Sequence, residues 1–328
     1  MPQTKGFTIF ARASTPTSPY KTYSTSIRMP SPPPSDDEQS IASGSSNNSI
    51  KPSSATTSTT TVSSTSPGVN TPSRKSRIDF SRLENIFAPD DQSELPSTAL
   101  SLWYILTTAL LLAFHKEKLI GELWTYLSSR PELQSDEDLL STARHVREAC
   151  LKASTLVGFP RAINALLALQ TAISSSHPIL SATLSRDESL RSSALLSPAE
   201  KFSRGMALFS RIYDKHTPRV ISTMSACSGG DLTHFAIHSI YGELLAESAV
   251  IGDMETGVLE FVCCLADGVA PQAKGHFYGS RNLGATDGVL RRSVVLTGET
   301  ARMLGVGVPW EDGEEEERGE WRFLERVV

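Results

Sequence analysis

His276 is the residue whose surroundings in the sequence best suit chemistry, since it lies between two glycines four residues apart, Gly275 and Gly279. Gln272 precedes it by one helical turn, so both side chains project from the same face of a helix. A neutral imidazole near pH 7 can accept or release a proton, as decarboxylation through an enol or activation of a thiol requires. The competing interpretation is a core histidine hydrogen-bonded to a carbonyl. If the chain is an enzyme, we expect His276 to carry the proton, with Gln272 and Asn282 as its polar orienters.

The surroundings of His276 also carry a resemblance to a known family. The histidine is followed by a helix-ending Asn-Leu-Gly at 282–284 and a restart at Ala-Thr, 285–286. A second stretch, residues 147–169, has a Gly-Phe-Pro turn that ends one helix and opens the next. In this order the chain resembles the carboxymuconolactone decarboxylase and alkylhydroperoxidase-D-like family, in its fungal-type variant, over most of residues 97–310.

That resemblance implies a compact antiparallel helical bundle that assembles into homo-oligomers, as dimers or rings of dimers. It also implies an active-site histidine at position 276 and a small carboxylate or lactone as substrate, hence lyase chemistry of the decarboxylase type. The close spacing of Gly275 and Gly279 would let another backbone approach, either in a partner subunit or within one chain. No cofactor or metal is predicted.

The chain departs from the family at three positions that carry its chemistry. The redox branch of the family has a Cys-x-x-Cys pair where this chain has Val269 and Gln272, and the family glutamate, nineteen residues before the histidine, is Gly257 here. Glu255 and Glu260 lie nearby but out of that register. A non-catalytic oligomeric or interaction protein on the same fold is therefore the first alternative.

A divergent thiol-dependent peroxide reductase is the second and less favoured alternative. The chain has four cysteines, of which Cys263 and Cys264 are adjacent. Neighbouring helical positions point about 100° apart, so these two thiols do not form an easy redox couple. No cysteine spacing indicates a disulfide framework, which favours a reducing compartment.

Two further groups of residues are candidates for ligand sites. Arg161 and Asn164 follow the Gly-Phe-Pro turn in the first turn of a predicted helix, a position that favours a substrate carboxylate. The alternative is an exposed arginine beside a packed neighbour. His234 and His238 lie one turn apart and could chelate a metal, but no third ligand is well placed.

The pattern of apolar residues predicts an all-α domain over residues 77–310. From Pro96 onward apolar residues recur at three- and four-residue steps, and no period-two alternation of useful length appears. Residues 99–114 contain no charge, but sixteen residues fall short of the roughly 20 that span a bilayer. We expect a buried core helix there, with a membrane span as the alternative, and we predict no membrane partner.

The two ends of the chain differ in composition from this domain. Residues 51–66 contain 12 Ser or Thr, and residues 1–76 are predicted to be a disordered Ser/Thr/Pro-rich tail. Their first 35 residues hold four basic residues and no acid, as in a mitochondrial transit peptide or an ordinary polar tail, so we expect a mitochondrial or cytoplasmic location. From residue 77 onward 24 basic residues face 33 acidic ones, which argues against nucleic acid as a partner. Residues 311–328 are predicted to be an acidic tail.

Overall fold

The computed structural model of the chain describes residues 78–88, 99–133, 135–193 and 195–327. The predicted tail at residues 1–76 lies outside the described residues. The α-helices are α1 (Phe80–Ile86), α2 (Ala99–Ala113), α3 (Ile120–Ser128), α4 (Asp136–Val157), α5 (Phe159–Ser176), α6 (Pro178–Leu184), α7 (Leu190–Ser193), α8 (Pro198–Tyr213), α9 (Thr217–Ser228), α10 (Asp231–Phe235), α11 (Asp253–Ala266), α12 (Ala270–Asn282), α13 (Asp287–Leu304), α14 (Pro309–Asp312) and α15 (Glu315–Glu320). A π-helix, Ala236–Leu245, continues α10, and short 3-10 turns span Glu117–Leu119, Asp214–His216 and Arg322–Arg326. No strand occurs within the described ranges, so the all-α prediction is confirmed.

Helix α2 lies at the centre of the main core, packed against α4, α11 and α13. Its side chains from residue 102 to residue 114 are buried. The hydroxyls of Thr107 and Thr108 donate to the carbonyls of Trp103 and Tyr104, so the polar groups of this apolar helix are satisfied internally. The helix is thus a buried core helix, as predicted. No helix among the described residues is long and apolar enough to cross a membrane.

The helices begin where local side chains satisfy their first backbone N–H groups. Ser197 accepts from the backbone of Glu200, whose carboxylate accepts in return from the backbone N–H of Ser197, which forms a capping box at the start of α8. Ser135 caps α4 in a similar way, and Thr286 caps α13. Gly158 separates α4 from α5 with a φ of 110°, a conformation that only glycine adopts without strain.

A second, smaller apolar cluster is built by α8 and the π-helix. The two backbones cross so closely that a Cβ on Gly205 would lie 1.9 Å from the carbonyl oxygen of Ile237. A Cβ on Gly242 would lie 2.0 Å from the carbonyl oxygen of Lys201. These two glycines are therefore required by the packing, and they fix the position of the π-helix against α8.

The end of the chain differs from the predicted acidic tail at 311–328. Trp321, Phe323, Leu324 and Val327 are buried in the main core, although the glutamates of α15 face solvent. The ring of Phe323 packs 5.4 Å from that of Phe277 on α12. The aromatic and aliphatic residues that follow the run of glutamates provide enough apolar surface to anchor the segment.

Candidate acid–base site

Helices α11 and α12 run antiparallel, and a close contact near one end sets their register. Gly257 on α11 faces Ser280 on α12, since a Cβ at Gly257 would lie 3.5 Å from the Ser280 Cα. One turn further along α11 and one turn back along α12, Glu260 meets His276. Gly279 meanwhile packs against Ile212 of α8, so the glycine pair around His276 serves an intrachain contact.

Glu260 and His276 form a buried pair with unsatisfied polar atoms. Glu260 is 1% exposed and His276 is 5% exposed. The distance from Glu260 Oε2 to His276 Nδ1 is 3.7 Å, about half an ångström longer than a normal hydrogen bond. Both atoms are buried and neither has a hydrogen-bond partner among the described residues. Buried polar atoms in native proteins are nearly always bonded, so an unpaired acid facing an unpaired base is an exception that calls for a chemical explanation.

Burial shifts both groups toward their neutral forms. Desolvation raises the pKa of Glu260 to about 8, although the nearby charge of Lys152 acts in the opposite direction. Desolvation lowers the pKa of His276 to about 4. At neutral pH the pair is therefore a protonated carboxylic acid beside a neutral imidazole. A carboxyl group whose pKa lies near neutrality can both donate and accept a proton at physiological pH.

Two tyrosines adjoin the pair from the second apolar cluster. Tyr213, at the end of α8, has its ring 6.2 Å from that of His276, and its hydroxyl lies 3.4 Å from the hydroxyl of Tyr241 in the π-helix. Burial raises the pKa of Tyr213 to about 12 and that of Tyr241 above its usual value, so both remain hydroxyl donors. Tyr213 is half-buried whereas Tyr241 is buried, which makes Tyr213 the member of the group nearest solvent.

Lys152 supplies a buried cation behind the pair. Its Nζ donates to the carbonyls of Leu245, Glu247 and Ile251 at 3.1, 2.7 and 3.2 Å, and to Thr256 Oγ1 at 2.7 Å. Desolvation lowers the pKa of Lys152 to about 8. The lysine thus ties the end of the π-helix and the loop after it to α4 and α11, and its charge favours ionisation of Glu260.

The other residues predicted for this site lie apart from the pair. Gln272 is exposed on α12. Asn282 is also exposed, and its Nδ2 donates to the carbonyl of Ile212 at 2.9 Å, which ties the end of α12 to the end of α8. Of the three residues proposed as catalytic, the structure thus brings only His276 beside a buried ionisable side chain, that of Glu260.

The predicted carboxylate-binding residues lie on a different part of the domain. Asn164 is exposed on α5 and its Nδ2 donates to Glu117 Oε1 at 3.2 Å, while Arg161 is half-buried two residues after the start of that helix. His234 and His238 stack with ring centroids 4.1 Å apart. No cluster of three metal-ligating side chains occurs among the residues that the structure describes.

Cys263 and Cys264 are buried in α11. Burial raises the pKa of Cys264 to about 12 and raises the pKa of Cys263 well above its usual value, so both stay in the unreactive thiol form. Glu260, Lys152, Tyr213 and Tyr241 were not assigned roles from the sequence. The available signals were the charged Lys152 among mostly apolar positions of α4, and Glu260 within the apolar run of α11.

The comparisons with known proteins give two relatives with the same name. The chain is 36% identical over 141 residues to "Peroxisomal protein 2" of Schizosaccharomyces pombe, and the matched region covers 43% of this chain and 61% of the relative. It is 25% identical over 188 residues to "Peroxisomal protein 2" of Saccharomyces cerevisiae, which covers 51% of this chain and 63% of the relative. The chain thus spans less than two thirds of the length of these relatives. No family model matches the chain, and no solved structure matches it significantly.

These names contradict the predicted mitochondrial or cytoplasmic location, since both relatives are named as peroxisomal proteins. The prediction rested on the basic, acid-free composition of the first 35 residues, which a Ser/Thr-rich tail shares with a transit peptide. Composition alone does not separate the two, so the mitochondrial or cytoplasmic prediction is withdrawn.

Proposed function

We propose that Glu260 and His276 form an acid–base pair that transfers a proton to a small carboxylated or lactone metabolite, in a decarboxylase-like lyase reaction. The observation that supports this proposal is the pair of facing atoms, Glu260 Oε2 and His276 Nδ1, which are buried 3.7 Å apart and have no hydrogen-bond partner in the part of the chain that the structure describes. An arrangement of this kind costs stability, because unsatisfied buried polar groups are destabilising. Such a cost is typical of functional sites.

The proposed reaction moves one proton. In a decarboxylation the bond from carbon to carboxylate breaks, CO₂ leaves, and the electron pair stays on the substrate as an enolate. Protonated Glu260 donates the proton that the enolate carbon takes up. Neutral His276 then passes a proton from water to the Glu260 carboxylate, and the hydroxide that remains combines with the released CO₂ to give bicarbonate. Lys152 limits the cost of the transient Glu260 charge. The substrate would reach the pair beside Tyr213, its half-buried neighbour.

Among the alternatives, the observations favour the acid–base site. A purely structural or interaction protein gives no reason to bury an unpaired acid against His276. A thiol peroxidase needs an accessible thiolate, whereas Cys263 and Cys264 are buried with raised pKa values. The resemblance to the carboxymuconolactone decarboxylase family supports the same reaction class. From the same resemblance we propose that the chain assembles into homo-oligomers, which sedimentation equilibrium tests.

Turnover of a substrate panel tests the role of the pair. Purified chain is incubated with β-keto acids and unsaturated lactone carboxylates in D₂O, and proton NMR follows loss of substrate and deuterium incorporation. Any turnover found should be lost in His276→Ala and in Glu260→Gln, and retained in Glu255→Gln, which changes another buried carboxyl on the same helix. Turnover that survives in both Glu260→Gln and His276→Ala overturns the proposal.

A spectroscopic experiment tests the site without a substrate. Infrared difference spectra of wild type and Glu260→Gln at neutral pH should show the carbonyl stretch of one protonated carboxylic acid that is missing from the variant. The band should vanish as the pH rises through about 8. A spectrum of an ionised carboxylate at neutral pH contradicts the acid role of Glu260.

We also propose that the protein acts in the peroxisome, because both relatives carry the name "Peroxisomal protein 2". A fluorescent fusion of the full chain should then co-localise with a peroxisomal marker. A diffuse cytosolic or a mitochondrial pattern for the fusion contradicts the location.

A further inference from the structure

The two groups of the proposed acid–base pair are covered, so a substrate reaches them only if part of the protein moves. The side chain of Glu260 is 1% exposed and that of His276 is 7% exposed. A proton passes between a side chain and a substrate only within hydrogen-bond reach, or through one water. The element that covers the pair therefore has to open during a reaction at this site.

The end of α8 covers the His276 side of the pair. Its last two residues, Ile212 and Tyr213, lie against the part of α12 that carries His276. A Cβ on Gly275 would lie 3.7 Å from Tyr213 Cε1, and a Cβ on Gly279 would lie 2.6 Å from Ile212 Cγ2. The ring of Tyr213 is 6.2 Å from that of His276. Two glycines thus give the end of α8 a shallow seat beside the histidine.

The contacts that hold this end of α8 in place lie at the surface. Asn282 is exposed, and its Nδ2 donates to the carbonyl of Ile212 at 2.9 Å. Arg211, whose side chain is 54% exposed, forms an ion pair with Asp253. Exposed ion pairs contribute little to stability, because water and salt screen them. These ties are therefore weak enough to break during an opening motion.

The opposite end of the same unit is anchored in the core. Arg204, in the first half of α8, donates to the carbonyl of Ala246 at 2.8 Å, just after the π-helix. The carbonyls of Leu245 and Glu247 accept from the buried ammonium of Lys152. Helix α8 and the π-helix also pack into an apolar cluster separate from the main core. The unit is thus held firmly at the end of the π-helix and weakly over His276.

We propose that the end of α8 is a lid over the acid–base pair, and that it pivots away from α12 about the anchored end of the π-helix to admit a substrate. The lid rests on the proposed function, since a reactive pair has to be uncovered. When the lid is closed, Ile212 and Tyr213 exclude water from the pair. When it is open, Gly275 and Gly279 leave His276 accessible, because neither has a side chain that would shield it.

Labelling of His276 with diethyl pyrocarbonate measures the opening, because this reagent of metabolite size acylates the imidazoles that it can reach. Mass spectrometry of peptides gives the labelling rate relative to exposed His115. Gly279→Ala places a methyl group against Ile212 Cγ2, which should unseat the lid and raise the rate at His276 at least about tenfold. Gly275→Ala is the control, since it makes the same change on the same helix at an ordinary contact distance. Equal labelling of His276 in the two variants contradicts the lid.

A reversible cross-link tests the opposite direction, and it decides the matter if Gly279→Ala does not fold. A Cβ at position 279 would lie 3.6 Å from the Cβ of Ile212, within the range that a disulfide spans. The variant combines Ile212→Cys and Gly279→Cys with Cys227→Ser, which removes the exposed native thiol. Oxidation should slow labelling of His276 at least about tenfold, and reduction should restore it. Equal labelling of the oxidised and reduced forms overturns the lid.

Turnover by the cross-linked variant separates the lid from the proposed reaction. If wild type converts a substrate of the panel, the oxidised variant should lose this turnover and the reduced variant should regain it. Turnover that persists in the oxidised form overturns the lid and leaves the roles of Glu260 and His276 standing. Labelling that responds to the cross-link, in a protein that converts no substrate, supports the lid and counts against the proposed reaction.

Discussion

Lys152 and Glu260 are both fully buried ionisable residues of the same core, yet their surroundings differ. The ammonium of Lys152 has four oxygen acceptors within 3.2 Å. Glu260 Oε2 has none among the described residues, although it faces His276 Nδ1, which also lacks a partner there. A buried charge that is fully hydrogen-bonded organises the fold, whereas an unbonded acid–base pair keeps its protons available. The difference separates a structural ionisable group from a candidate reactive one.

Removal of the Lys152 ammonium should give the largest loss of stability. Lys152→Met leaves three carbonyls in and after the π-helix without their donor, and we expect a loss of about 5 kcal/mol. Urea unfolding measures it as a lower midpoint. Lys201→Met is the control, since Lys201 forms a partly exposed ion pair with Glu243 that should contribute about 0.5 kcal/mol. Similar losses of stability in Lys152→Met and Lys201→Met would show that the buried ammonium of Lys152 is no more important to the fold than a partly exposed one.

Glu260 should make the protein less stable as the pH rises. Its folded pKa of about 8 exceeds the ordinary value of 4.5, so the folded state holds a proton that the unfolded state releases between these values. Wild-type stability should fall across that window by an amount on the order of 4 kcal/mol relative to Glu260→Gln. Urea titrations at several pH values measure this difference. Parallel pH profiles of the two proteins would show that Glu260 is already ionised in the folded state.

Burial of His276 should make the protein less stable as the pH falls. Its folded pKa of about 4 lies below the ordinary 6.5, so the unfolded state binds a proton first as the pH falls. The stability of wild type should drop between pH 6.5 and about 4 by about 3 kcal/mol more than that of His276→Asn. Thermal unfolding over this range measures the effect, and His238→Asn, at a partly exposed histidine, provides the matched control. Equal acid sensitivity of wild type and His276→Asn contradicts a buried neutral imidazole.

The smallest effect is expected at the tyrosine pair. Tyr241→Phe removes a hydroxyl that lies 3.4 Å from Tyr213, a long contact, and should cost about 1 kcal/mol. If the pair assists proton transfer, turnover in Tyr241→Phe should fall more than this loss of stability explains. Guanidinium unfolding measures the loss of stability in Tyr241→Phe, and the NMR assay measures its turnover. A loss as large as that of Lys152→Met would place Tyr241 among the structural residues instead.

The fold was largely predictable because its signals are local. Apolar residues at three- and four-residue steps predict the all-α domain and the buried helix α2, and the side-chain cap of Ser197 at the start of α8 is a signal that the sequence displays directly. The folded end around Trp321 is not predicted, since it follows a run of glutamates.

The site was only half predictable because its register is set by tertiary contact. Counting from His276 with the family spacing leads to Gly257, so Glu260 was set aside as out of register. In the structure Gly257 is the contact point with Ser280, and the antiparallel crossing then brings Glu260 opposite His276. Spacing along the chain does not show where two helices touch. The sequence therefore predicts Gln272 and Asn282, and not Glu260, as the residues that orient His276.

The π-helix between Ala236 and Leu245 carries a consequence for insertions and deletions. Its N–H groups bond five residues back, so each turn holds more residues than an α-helical turn. If the segment keeps its winding, loss of one residue before Tyr241 would rotate every later side chain by roughly a quarter of a turn. Gly242 would then leave its crossing with Lys201, and Tyr241 would turn away from Tyr213. The length of this segment is therefore constrained as tightly as its composition.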